Sequence, residues 1–188
     1  FDEWLATGCI STDHPRYLSF IPNAPSAAAS MFDLVVSASS IYGGSWLEGA
    51  GAVWAENQAL AWLAERAGYP ETAEGVFVPG GTLGNLSALV TARHRARSQG
   101  DPTDARRWVV ITGPGSHSSI DHVAKVMDVD VIRCAAEPLT DRLRAEDARA
   151  ALANLSADQR CFAIVATCGH TNTGVMDDLG PLADVAAE

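Results

Sequence analysis

The stretch WVVITGPGSHSSIDHVAKVMDVDVI, residues 108–132, decides the fold. Trp108-Val109-Val110-Ile111 is apolar without alternation, the pattern of a strand covered on both faces. Gly113-Pro114-Gly115-Ser116-His117-Ser118-Ser119 is a polar loop. Ile120, Val123, Ala124 and Met127 then recur at the i, i+3, i+4, i+7 spacing of an amphipathic helix. Val129-Asp130-Val131-Ile132 begins another strand. Strand, helix and strand in this order make a βαβ unit, which implies a parallel sheet.

The same alternation continues on both sides. Gly75-Val76-Phe77-Val78 is expected as a short buried strand, followed by Gly80-Gly81 and a helix with Leu83, Leu86, Leu89 and Val90 on its apolar side. Ala148, Ala151, Leu152 and Leu155 mark another helix. Cys161-Phe162-Ala163-Ile164-Val165-Ala166 is apolar throughout, and a last helix covers 181–188. The fold class is α/β with a mostly parallel sheet. The first 74 residues read differently: an irregular segment rich in Pro, Ser and Ala, then a helix over about 48–66 that Gly68-Tyr69-Pro70 ends. The chain is therefore divided into an N-terminal segment and helix, 1–74, and a sheet-bearing part, 75–188.

Composition excludes several classes of function. The 188 residues carry 13 Lys plus Arg against 23 Asp plus Glu, a net charge of -10. Phosphate backbones are bound by clustered cations, and the longest basic cluster, Arg93-His94-Arg95-Ala96-Arg97, reads as one exposed helix face. Nucleic acid is not an expected partner. Only one basic residue, Lys125, is a lysine. No apolar run approaches the roughly 20 residues of a membrane span, and no signal peptide is visible. Cys9, Cys134, Cys161 and Cys168 show no CxxC spacing, so neither a disulfide framework nor a metal site is expected. The expected location is cytoplasmic. Phe1 is not an initiator Met and Glu188 falls inside an expected helix, so both ends are expected to continue.

In open α/β sheets ligands bind beyond the carboxyl ends of the strands, so the loop after each strand is where a site is sought. Pro79-Gly80-Gly81-Thr82-Leu83-Gly84-Asn85 places paired glycines and a hydroxyl at a helix start, where free N–H groups favour an anion. It reads equally as a tight turn with Thr82 as N-cap. The glycine spacing is not G-x-G-x-x-G, and no P-loop occurs. His117 stands at the mouth of the second loop, placed to stack on an aromatic ligand or move a proton, or to cap the helix. The third loop, Thr167-Cys168-Gly169-His170-Thr171-Asn172-Thr173-Gly174-Val175-Met176-Asp177-Asp178, concentrates hydroxyl, amide and carboxylate groups, with Asp177 or Asp178 also readable as a helix cap. Three polar, glycine-containing loops at strand ends predict one shared pocket.

These residues resemble the pyridoxal-phosphate-dependent group II amino-acid decarboxylases, the glutamate and aromatic-L-amino-acid type. The matching pieces are His14-Pro15-Arg16-Tyr17 with Pro22-Asn23-Ala24, the helix containing Glu56, Gly80-Gly81-Thr82-x-x-Asn85, His117-Ser118-Ser119 and Gly169-x-Thr171-x-x-Gly174-x-x-Asp177. They follow the family's order over nearly the whole chain. The resemblance implies an aspartate-aminotransferase-like (type I) fold, with this chain supplying the N-terminal segment and first part of the large domain. It implies pyridoxal 5'-phosphate as cofactor, an L-amino acid as substrate and a homodimer.

By position, the resemblance implies that Gly81 and Thr82 hold the cofactor phosphate, with Asn85 nearby. His117 stacks on the pyridine ring as proton donor or orienting group, and Thr171 and Asp177 support the pyridine side. Pro22 and Asn23 line the substrate pocket. His170 stands where relatives commonly have Thr, and Asn23 where they often have Thr or another small polar residue. The lysine that bonds the cofactor and the aspartate that pairs with the ring nitrogen are implied to follow Glu188; Lys125 does not match that position. The chain alone is thus not expected to turn over. Other readings are a non-catalytic half-subunit acting through a partner chain, and another reaction on the same cofactor, such as transamination or aldehyde formation.

Overall fold

β1 (Arg107–Thr112) lies at the centre of a three-stranded parallel sheet, between β2 (Asp130–Arg133) and β3 (Gln159–Val165). Val109, Val110 and Ile111 are fully buried, because helices cover both faces. On one face, α3 (Gly81–Ser98) and α4 (Ser119–Met127) pack Leu89, Ile120, Val123, Ala124 and Met127 around Trp108 and Val110. On the other, α5 (Ala145–Ala153) and α6 (Leu179–Ala187) pack Ala148, Leu182 and Val185 around Ile111 and Leu143. Alternate β1 side chains enter opposite cores, as strand geometry requires. The register runs Val110 to Val131 on one side and Val110 to Ala163 on the other, with an irregularity at Val109/Val110.

This computed structural model describes residues 1–18, 24 and 26–188. It divides into two units, Phe1–Phe77 and Val78–Glu188. The first contains a π-helical turn (Asp2–Ala6), α1 (Ala27–Ser39) and α2 (Trp46–Arg66). Ser26 caps α1 through Ala29 N–H at 3.2 Å. Gly49, inside α2, is its buried residue. Among the described residues of this unit, the large apolar side chains of α1 stay exposed, Met31, Phe32, Leu34, Val35 and Val36 included.

Three expectations need correction. α1 occupies a segment expected to be irregular. Its sequence is apolar around most of the helix, so no 3.6-residue alternation marks it. Residues 75–78 form no strand: Val76 and Phe77 are exposed, and Phe77 N–H donates to a carboxylate oxygen of Glu56 (3.2 Å) rather than to a neighbouring strand. An extended apolar run becomes a strand only when a ladder partner is present. The basic cluster on α3 is not one solvated face, since Arg93 donates to the Met127 carbonyl at 2.6 Å and satisfies the end of α4.

Candidate functional site

The loops after β1 and β3 and the start of α3 all belong to the 78–188 unit. Gly80 precedes α3, and its φ of 130° lies where a Cβ is strained. Unlike α1 and α2, which Ser26 and Ser45 cap, α3 has no side-chain cap. The space that a Cβ would occupy at Gly80 and Gly81 is open. Gly81 and exposed Thr82 stand in the first turn, and the N-cap is Gly80 rather than Thr82. An uncapped helix start with open space before it suits a phosphate group.

Asn85, one turn into α3, donates from Nδ2 to Ser119 Oγ at 2.8 Å. Ser119 is buried and reaches His117 Nδ1 twice, through Oγ at 2.9 Å and through its backbone N–H at 3.1 Å. A backbone N–H only donates, so Nδ1 accepts and a neutral His117 carries its proton on Nε2. His117 itself is exposed. The geometry thus links two expected site residues, Asn85 and His117, through Ser119. Within the His117-Ser118-Ser119 motif, sequence reasoning alone assigns Ser119 no role. Its position, two residues after the histidine at a helix start, is the available signal.

From the β2 side, Arg133 holds the same loop. Its guanidinium donates to Gly113 O (3.2 Å) and Ser116 Oγ (2.9 Å) and pairs with Asp121.

The loop after β3 is organised by Asp177. One carboxylate oxygen accepts from Leu143 N–H (2.8 Å) and from His170 Nε2 (3.1 Å); the other accepts from Thr167 N–H (2.7 Å). Asp177 and His170 are both buried. The carboxylate therefore joins the end of β3, the loop and the segment before α5, and Thr171 sits exposed on the loop so held. Neither Asp177 nor Asp178 caps α6 through its side chain: Asp178 pairs with Arg142 instead. Lys125 is exposed on α4. Pro22 and Asn23 lie outside the described residues.

The 78–188 unit offers an uncapped helix start with open space beside its glycines, an imidazole whose Nδ1 accepts from Ser119 and a braced hydroxyl-bearing loop. These are the parts that a phosphorylated aromatic cofactor needs, and the residues present fit it.

Comparison with known proteins gives the same direction. The model of the pyridoxal-dependent decarboxylase conserved domain matches residues 1–188. An aromatic-L-amino-acid decarboxylase from Bacillus atrophaeus is 32% identical over 177 residues, covering 92% of this chain and 36% of its own length. An L-2,4-diaminobutyrate decarboxylase from Rhizobium meliloti (strain 1021) is 29% identical, covering 93% of this chain and 35% of its own length. The crystal structure of Oryza sativa TDC with PLP and tryptamine superposes with a TM-score of 0.79 at 29% identity, over 90% of this chain and 40% of that one. The chain therefore spans little more than a third of the length of the curated relatives it matches.

Proposed function

The chain belongs to the pyridoxal-dependent decarboxylase family, and from that premise we propose that it is part of a carboxy-lyase removing the α-carboxylate of an L-amino acid. The observation that carries the reading is the Asn85–Ser119–His117 chain of hydrogen bonds in the same unit as the uncapped start of α3. Gly81 and Thr82 bind the phosphate through first-turn N–H groups and the Thr82 hydroxyl. Asn85 acts through Ser119, holding the His117 ring in one orientation. His117 stacks on the pyridine ring and keeps a proton at Nε2, from which it can protonate the substrate carbon. Thr171 supports the pyridine side directly, and Asp177 supports it by fixing the loop. When bound, pyridoxal 5'-phosphate supplies the electron sink for the pair released as the Cα–carboxylate bond breaks.

Pro22 and Asn23 are assigned to the substrate pocket. Apart from Arg16, the stretch with Tyr17, Phe20, Pro22 and Asn23 holds no cation to pair with a glutamate side chain, so an aromatic or otherwise uncharged side chain is favoured. The similarity to an aromatic-L-amino-acid decarboxylase supports this choice. The lysine that bonds the cofactor is assigned to the longer protein, not to Lys125. Exposed Met31, Phe32, Leu34, Val35 and Val36 on α1 support a homodimer in which that face is covered. No described helix is long and apolar enough to cross a membrane, and the four free thiols support a cytoplasmic setting.

The test is a panel of L-amino acids given to the full-length protein with pyridoxal phosphate, monitored for carbon dioxide. Release from an aromatic amino acid is expected, together with a lysine that borohydride fixes to the cofactor. A full-length protein with neither property overturns the proposal.

A further inference from the structure

Resting on that functional reading, we propose that His170 is a positioning residue, a latch that locks the loop carrying His117 to the loop carrying Thr171. Two observations carry it. The first is the seat of the imidazole. A methyl group added at Gly115 would overlap the His170 ring, so the ring fills the space beside the Gly115 backbone. Gly115 is not among the residues with positive φ. Its lack of a side chain is therefore explained by room for His170 rather than by backbone conformation. The second is the hydrogen bond of the ring itself. Nε2 lies 3.1 Å from an oxygen of Asp177, which also accepts from Leu143 N–H.

The imidazole thus touches both the 113–118 loop, at Gly115, and the Asp177 brace, through Nε2, while the backbone N–H and C=O of His170 close the turn through Val175 O and Gly174 N–H, each at 2.8 Å. Arg133 pins the 113–118 loop independently from β2. With both attachments, the loop that presents His117 cannot shift relative to Thr171 unless the buried histidine moves. A threonine here is too short to fill the seat and reach Asp177 together. Residues that orient metal ligands from behind change metal affinity by about 10-fold or more when removed, and the low end of that range sets the expectation for a residue that orients cofactor-holding loops.

The experiment uses the full-length protein carrying pyridoxal phosphate. The rate of cofactor release and the visible circular dichroism of the bound cofactor are measured for His170→Ala, His170→Thr, His170→Gln, Gly115→Ala and the Gly115→Ala/His170→Ala pair. Removing the latch is expected to speed release about 10-fold and weaken the dichroism in His170→Ala and His170→Thr. His170→Gln, which keeps an N–H for Asp177, stays near the wild type. Gly115→Ala falls with the first group, and the double variant is no worse than Gly115→Ala alone, because both changes break one contact. Thermal stability lost in His170→Ala and His170→Thr with release rate and dichroism unchanged would show a purely structural histidine and overturn the inference. A wild-type protein that takes up no cofactor overturns the functional reading instead.

Discussion

The two units treat apolar side chains in opposite ways. In 78–188, Val109, Val110, Ile111 and Leu143 are fully buried, whereas in α1 Met31, Phe32 and Leu34 are each about 70% exposed (69%, 71% and 70%). One unit closes its own core and carries self-braced loops. The other presents an apolar face of the kind that marks an interaction surface. The difference separates two tasks: holding a small group is written into residues that satisfy one another locally, while the apolar face of α1 has meaning only with something to cover it.

The strongest way to break this contrast is at Asp177. Asp177→Ala removes the acceptor of two backbone N–H groups and of His170 in a buried site, an expected loss of about 4 kcal/mol. Chemical denaturation of the full-length protein checks it, and a loss below about 1 kcal/mol would show that water replaces the carboxylate. Ile111→Ala empties part of the sheet core and is expected to cost about 3 kcal/mol in the same measurement. At α1 the expected effect moves from folding to assembly. Leu34→Asp should weaken the proposed dimer by about 2 kcal/mol, seen as a shift toward monomer in sedimentation, and an unchanged dimer would place the interface elsewhere.

The smallest effect is electrostatic. The Arg144 guanidinium, 2.9 Å from Asp147, holds that carboxyl below its ordinary value of 3.8, chiefly by the side-chain hydrogen bond. A pKa lowered by folding stabilises the protein fully above the unfolded value and ceases to do so as pH falls through the folded one. Arg144 is 34% exposed, so screening limits the contribution to about 0.5 kcal/mol. Wild type and Asp147→Asn should differ by that much at neutral pH and converge below pH 3.8. Parallel stability curves would remove the pair from the balance.

The same contrast explains what could be read from the sequence. Ile120, Val123, Ala124 and Met127 show helical spacing, and all four are buried, because a closed two-sided core imposes its period on the residues that face it. Phe32 to Val36 face no core in this structure, so α1 has no period to show. His117 and Thr171 are legible as motif residues at strand ends, and Asn85 as a motif residue near a helix start. Their connections are not: Ser119 between Asn85 and His117, Arg93 on the Met127 carbonyl, and His170 against Gly115 each join residues far apart in sequence. Asp177 reads as a helix cap because a carboxylate before an apolar helix is usually one; only the fold brings Leu143 N–H within 2.8 Å of it.

The most direct test of the central claim is the product balance of the full-length protein, loaded with pyridoxal phosphate and given the L-amino acid it accepts. The proposal predicts carbon dioxide and the corresponding primary amine in equal amounts, both sharply reduced in His117→Ala. A keto acid without carbon dioxide, an aldehyde in place of the amine, or no product at all would contradict it.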